Sequence, residues 1–62
     1  MFSENIAMLR TIKGFSQEEI AEQLGISRQA YAKWEKGQTM PDIESCAKLA
    51  QIYDTTIDAL YY

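Results

Sequence analysis

The run Gln17-Glu18-Glu19-Ile20-Ala21-Glu22-Gln23-Leu24-Gly25-Ile26-Ser27-Arg28-Gln29-Ala30-Tyr31-Ala32-Lys33-Trp34-Glu35-Lys36-Gly37 decides how this chain folds. Ser16 stands just before it, with Glu19 three residues on. The Ser16 hydroxyl can accept from the Glu19 amide while the Glu19 carboxylate reaches back, a capping box that predicts a helix from Gln17 to about Leu24. Gly25 can take the left-handed conformation that ends a helix. Ser27 has the chemistry of an N-cap for a further helix reaching about Lys36, where Gly37 closes it.

On a helical wheel, Ile20, Ala21 and Leu24 fall inward while Glu18, Glu19, Glu22 and Gln23 point outward. In the next helix Arg28, Gln29, Ala32, Lys33 and Lys36 share one arc of about 140°. Ala30, Tyr31 and Trp34 lie opposite, and Glu35 sits at the margin. Only Gly25-Ile26-Ser27 separates the two helices. So short a connection forces a sharp crossing, which needs a glycine at the bend and a small residue, here Ala21, where the helices touch. Residues 17–36 therefore read as a helix-turn-helix whose second arm presents a cationic, amide-bearing face.

Outward from this unit, helical periodicity continues and no segment alternates as a strand would. Phe2 to Lys13 carries Ile6, Leu9 and Ile12 at helical spacing, with Gly14 after it. Gln38-Thr39-Met40-Pro41 reads as a turn, because the residue before proline is pushed out of helical geometry. Asp42 caps a fourth helix to about Tyr53, and Thr56 a short fifth, Ile57 to Tyr61. The apolar arc of the fourth helix is wide (Ile43, Cys46, Ala47, Leu49, Ala50, Tyr53), which predicts a central helix touching several neighbours. The expected fold is all-α: five short helices in one domain spanning residues 1–62.

Composition narrows the function classes. At 62 residues, 47% hydrophobic and 24% charged, the chain is globular but small, and such domains bury only about 60% of their unfolded surface. One cysteine, Cys46, and no histidine leave no intramolecular disulfide and no His/Cys metal cage. Cys46 shares the apolar stripe of the fourth helix, where a buried, unreactive thiol is expected. No run approaches the roughly 18 apolar residues of a membrane span. The start, Met1-Phe2-Ser3-Glu4, lacks the basic-then-apolar pattern of a signal peptide. A cytoplasmic location is expected, with no metal, no cofactor, no membrane association and no small-molecule ligand. An enzyme is not expected either: Glu18 and Glu22 stand one helical turn apart, but with no nucleophile or histidine beside them they read as a solvated face.

The net charge of −3 argues against nucleic acid when taken alone. Its distribution argues otherwise. Residues 1–26 carry −2, residues 27–41 carry +2 through Arg28, Lys33 and Lys36 against Glu35, and residues 42–62 carry −3. One basic segment lies between two acidic ones.

The quoted run resembles the helix-turn-helix of the phage-repressor/Cro-like (Xre) family of bacterial regulators. Leu9-Arg10, Gly14-Phe15-Ser16-Gln17, Trp34-Glu35-Lys36-Gly37, Pro41, Lys48-Leu49-Ala50 and Ile57-Asp58-Ala59-Leu60 are similar to that family in order and spacing, so nearly the whole chain is covered. The resemblance implies a compact five-helix, lambda-repressor-like domain whose third helix enters the DNA major groove. It implies Arg28, Gln29 and Lys33 as base-reading residues, and Gln17 and Ser27 as phosphate contacts. Lys36, Gln38 and Thr39 would follow the backbone beyond the recognition helix, with Lys13 a further phosphate candidate. The residue chemistry agrees: Arg suits guanine O6/N7, Gln suits adenine N6/N7, and a methyl such as that of Ala32 can meet thymine. The resemblance also implies a partly buried Arg10–Glu35 ion pair joining the first helix to the third. The chain departs from the family at Tyr31, where an aliphatic residue is usual, and at Asp54, which replaces a common Gly or Asn.

Two readings of function follow. The first is sequence-specific binding of double-stranded DNA by a nucleoid-associated transcriptional regulator, expected to be a repressor. As a homodimer it would read a pseudo-palindromic operator with recognition helices about 34 Å apart. Leu60, Tyr61 and Tyr62 form an apolar, aromatic end suited to the two-fold interface. Few cations imply weak non-specific binding and reliance on dimerisation. The second reading, drawn from the acidic surface, is a protein-interaction adaptor or antitoxin-type module that keeps the fold with little DNA binding.

Overall fold

A computed structural model describes all 62 residues. Five helices follow in order: α1 (Phe2–Lys13), α2 (Gln17–Leu24), α3 (Arg28–Glu35), α4 (Ile43–Ile52) and α5 (Ile57–Tyr61). Each boundary has a local cause. Ser16 Oγ accepts from Glu19 N at 3.0 Å and Glu19 Oε1 accepts from Ser16 N at 2.8 Å, completing the capping box. Ser27 Oγ caps α3 through Ala30 N at 3.1 Å, Asp42 Oδ1 caps α4 through Ser45 N at 2.8 Å, and Thr56 Oγ1 caps α5 through Ala59 N at 3.1 Å. Caps of this kind each contribute about 1 kcal/mol.

The bend between α2 and α3 depends on Gly25, whose φ is +72°. A Cβ there would meet nothing within 4 Å. Backbone conformation therefore demands glycine at this position, not lack of space. Asp54 takes the same left-handed region, at φ 56°, without glycine's freedom. It is the one place where a departure from the family pattern leaves visible strain.

The principal packing contacts close a ring: α1 on α3, α3 on α2, α2 on α4, α4 on α5 and α5 back on α1. This corrects the expectation of a central α4, because each helix leans chiefly on two neighbours. The core fills the ring with Phe2, Ile6, Ile20, Ala21, Leu24, Tyr31, Trp34, Cys46, Leu49, Ala50, Tyr53 and Leu60. Full burial of an Ile or Leu side chain contributes about 1.5–3 kcal/mol. Three positions expected on apolar faces are exposed instead: Ile12, Ile43 and Ala47. Ile12 is 68% and Ile43 71% exposed. The inward stripe of α1 runs through buried Phe2 and Ile6 and half-buried Leu9, and Ile12 lies about 80° from Phe2 on the wheel.

Leu60, expected at an interface between copies, is fully buried in the chain's own core. The ring closes here, and Asn5 Nδ2 donates to the Leu60 carbonyl at 2.9 Å, tying α1 to the end of α5. Cys46 is buried as expected, with Tyr61 Oη 3.5 Å from its sulfur. The Tyr61 ring packs on Phe2 with centroids 5.1 Å apart. No helix is long and apolar enough to cross a membrane.

Candidate nucleic-acid interface

α3 separates its chemistry between two faces. Tyr31 and Trp34 are buried and meet edge-to-face at 5.7 Å. Arg28, Gln29, Lys33 and Lys36 are exposed, Ala32 is half-buried among them, and Ala30, expected inward, is half-buried as well. Neither ion pair of the chain involves Arg28, Lys33 or Lys36. Three cations and an amide thus stand on one surface with their donors free for an anionic, hydrogen-bonding partner.

That freedom depends on Glu35, the only carboxylate of α3. Its side chain turns under the helix and is 8% exposed, against 19% for Arg10. Arg10 Nε donates to Glu35 Oε2 at 2.6 Å and Nη2 to Oε1 at 3.2 Å, a bidentate pair. Arg10 Nη1 also donates to the Phe15 carbonyl at 2.9 Å, and Gln17 Nε2 donates to Glu35 Oε1 at 2.9 Å. Burial pushes the Glu35 carboxyl upward, but the hydrogen bonds from Arg10 and Gln17 outweigh it and hold the group below its ordinary value. The bond to Glu35 in turn raises Arg10. The one negative charge that could neutralise the cationic face is engaged behind it.

Beneath α3, the Tyr31 and Tyr53 hydroxyls hydrogen-bond at 2.8 Å across the core. Tyr31 thereby meets the polar demand of a buried phenol while supplying the bulk of the usual aliphatic residue. Burial raises both phenols, Tyr53 to about 12. Sequence reasoning missed this pair, although two inward-facing tyrosines in a small core carried the signal: each hydroxyl needs a partner.

The phosphate candidates are distributed unevenly. Ser27 Oγ accepts from Ala30 N, which leaves its hydroxyl proton free to donate. Gln38 and Thr39 are exposed, and their backbone N–H groups donate to the Lys33 carbonyl at 2.9 and 3.4 Å. The segment after α3 is thereby folded back over the helix end. Lys36 caps α3 and is exposed. Lys13 is exposed in the last turn of α1, where the helix dipole already favours a cation. Gln17 differs from the others: its side-chain amide is committed to Glu35, and its half-buried position leaves only its backbone N–H at the open end of α2.

Tyr62, the most exposed large apolar residue at 96%, and Tyr61, at 37%, stand at the far end of α5.

Comparison with known proteins places this geometry. The helix-turn-helix family model matches residues 6–60. The chain is 44% identical over 59 residues to the HTH-type transcriptional activator BcrR of Enterococcus faecalis, covering 95% of this chain and 29% of that protein. It is 43% identical over 60 residues to the SPbeta prophage-derived HTH-type transcriptional regulator YonR of Bacillus subtilis, covering 97% of this chain and 56% of that protein. It therefore spans about half the length of these relatives or less. Among solved structures, SinR, the master regulator for biofilm formation crystallised in complex with DNA, superposes with a TM-score of 0.88 at 28% identity. That likeness covers the whole of both chains.

Proposed function

This chain belongs to the helix-turn-helix family, as its resemblance to the phage-repressor/Cro-like regulators implied. From that premise we propose that it binds double-stranded DNA sequence-specifically through α3 and regulates transcription. The observation that carries the reading is the inward turn of Glu35, which leaves Arg28, Gln29 and Lys33 exposed and unpaired on one face. In this reading Arg28, Gln29 and Lys33 contact base edges, with Ala32 against a thymine methyl. Ser27, Lys36, Gln38 and Thr39 follow the phosphates, Lys13 adds a peripheral cation, and residue 17 contributes its backbone N–H. The SinR–DNA complex supports the same mode, since its fold is matched end to end.

A net charge of −3 gives little general attraction to phosphate, so affinity must come from two recognition helices acting together. The reading therefore includes a homodimer on a pseudo-palindromic site with half-sites about 34 Å apart. Tyr62 and Tyr61, not Leu60, supply the interface. Where the operator overlaps a promoter, occupancy represses. The protein acts in the cytoplasm on the nucleoid, as a non-enzymatic regulator without a cofactor.

The test is selection of bound fragments from a random duplex pool at moderate salt, with the Arg28→Ala/Gln29→Ala double variant as control. A palindromic motif recovered by the wild type alone is the expected result. No enrichment over a folded control would overturn the DNA reading in favour of the adaptor or antitoxin-type one. In sedimentation, Tyr62→Ser should shift any dimer toward monomer; an unchanged equilibrium would remove α5 from the interface.

A further inference from the structure

The phosphate clamp of α2 and the base-reading face of α3 lie on different helices, so their relative placement must be set by something between them. Three contacts converge there. Arg10 bridges Glu35 and the Phe15 carbonyl, fixing the segment before α2 against the end of α3. Gln17, the first residue of α2, donates from its side chain to the same Glu35 Oε1 that receives Arg10 Nη2. Gln17 is thus the direct side-chain link from the start of α2 to Glu35 in α3. All three residues are half-buried.

We infer that the Gln17 side chain is a positioning residue that holds the α2 N-terminus in register with the recognition helix through Glu35, and that it makes no contact with phosphate itself. The inference deepens the DNA-binding reading and rests on it. An amide can either grip a phosphate oxygen with its N–H or donate that N–H to Glu35. Swinging it outward would leave the buried carboxylate with Arg10 as its one hydrogen-bonding partner. Losing a hydrogen bond to a charged, buried acceptor is costly, so the inward contact persists in the complex. The backbone N–H at the open end of α2 is left to meet the phosphate.

The consequence is a division between affinity and discrimination. Non-specific binding depends on cations meeting phosphates, and Gln17 is neutral. Specific binding needs the clamp and the base contacts satisfied at once, so loose register between α2 and α3 costs the correct site more than a random one. Gln17→Met keeps the bulk and removes the donor. It should weaken binding to the selected duplex about tenfold, roughly half of what a charged hydrogen bond can be worth in free energy. Affinity for random duplex should fall by less than that, and the slope of affinity against salt should stay unchanged, because no cation is removed.

The experiment measures wild type and Gln17→Met on the selected duplex and on random duplex, and repeats the substitution in the Arg10→Met/Glu35→Leu background, where no carboxylate remains for residue 17 to hold. The inference expects the loss on the selected duplex to vanish in that background, because the amide acts through Glu35. A loss that persists there would overturn it in favour of a direct phosphate contact, and no loss in the wild-type background would overturn it outright. A second readout is the Glu35 carboxyl in the free protein, followed by NMR: Gln17→Met should move its titration upward, and an unmoved titration would count against the contact. If the wild type selects no motif, the DNA reading itself fails. That outcome is distinct from a wild type that binds specifically while Gln17→Met binds equally well.

Discussion

Replacing Arg10 with alanine removes three donors at once: two from Glu35 and one from the Phe15 carbonyl. Glu35, at 8% side-chain exposure, would keep its Gln17 contact but lose its counter-ion. Breaking a buried pair from one side costs about 3–5 kcal/mol. Since Arg10 retains 19% exposure, the lower end of that range applies, about 3 kcal/mol. A domain of 62 residues has a total stability of about 3–9 kcal/mol, so one substitution removes a third or more of it. In a thermal melt followed by circular dichroism this corresponds to a fall in Tm of about 12–24 °C.

The pH profile adds a signed test. In the wild type Glu35 titrates below its ordinary value, so its stabilisation is complete above the unfolded carboxyl's pKa of about 4.3 and is lost as pH falls through the folded one. In Arg10→Ala, burial acts with its main opponent gone and raises the carboxyl, so acidification should recover stability in that variant. The double replacement Arg10→Met/Glu35→Leu removes both charges and should restore most of the loss. A double variant as unstable as the single would refute the electrostatic account and assign the loss to packing of the arginine stem. A single variant losing under about 1 kcal/mol would mean that water already screens the pair.

Gln29→Ala should relax base preference at one operator position, costing about 1–3 kcal/mol in competition binding against single-base variants; an equal loss on every sequence would make Gln29 a backbone contact. Tyr31→Phe and Tyr53→Phe each orphan the other hydroxyl and should cost about 1–3 kcal/mol in urea melts, while the double variant costs less than the sum. Because burial raises both phenols, the folded chain keeps protons that the unfolded chain releases near pH 10. Stability should hold below that pH and fall as pH rises toward about 12, the value for Tyr53. Asp54 sits at φ 56°, so Asp54→Gly should gain about 0.5 kcal/mol, the relieved strain less glycine's unfolded-state entropy, whereas Asp54→Val should lose more than about 1 kcal/mol.

Much of the exposed face of α3 is legible in the sequence. The separation of Arg28, Gln29, Lys33 and Lys36 from Tyr31 and Trp34 needs only the helical period. The Arg10–Glu35 pair came from likeness to a family, since no periodicity links residues 25 positions apart. Gln17 illustrates a related limit, since its amide donates to Glu35. Position at a helix start marks a residue as a phosphate candidate, but it does not say which way a flexible side chain turns once a buried carboxylate is in reach. In sequence, the apolar run Leu60-Tyr61-Tyr62 looks like an interface. Whether such a run closes a core or faces outward depends on where α1 passes.

What the chain determines by itself is therefore local: where helices start and stop, through Ser16, Ser27, Asp42, Thr56 and the glycines, and which face of each helix is apolar. These follow from hydrogen bonds and steric limits spanning three or four residues. What only the tertiary structure decides is how those faces are shared out. The ring of helices buries Leu60 and exposes Ile12 and Ile43. It brings Tyr31 to Tyr53 and gathers Arg10, Gln17 and Glu35 at one junction. Such contacts join residues distant along the chain, and they form where burying a polar group without a partner would cost more than ordering the partner beside it.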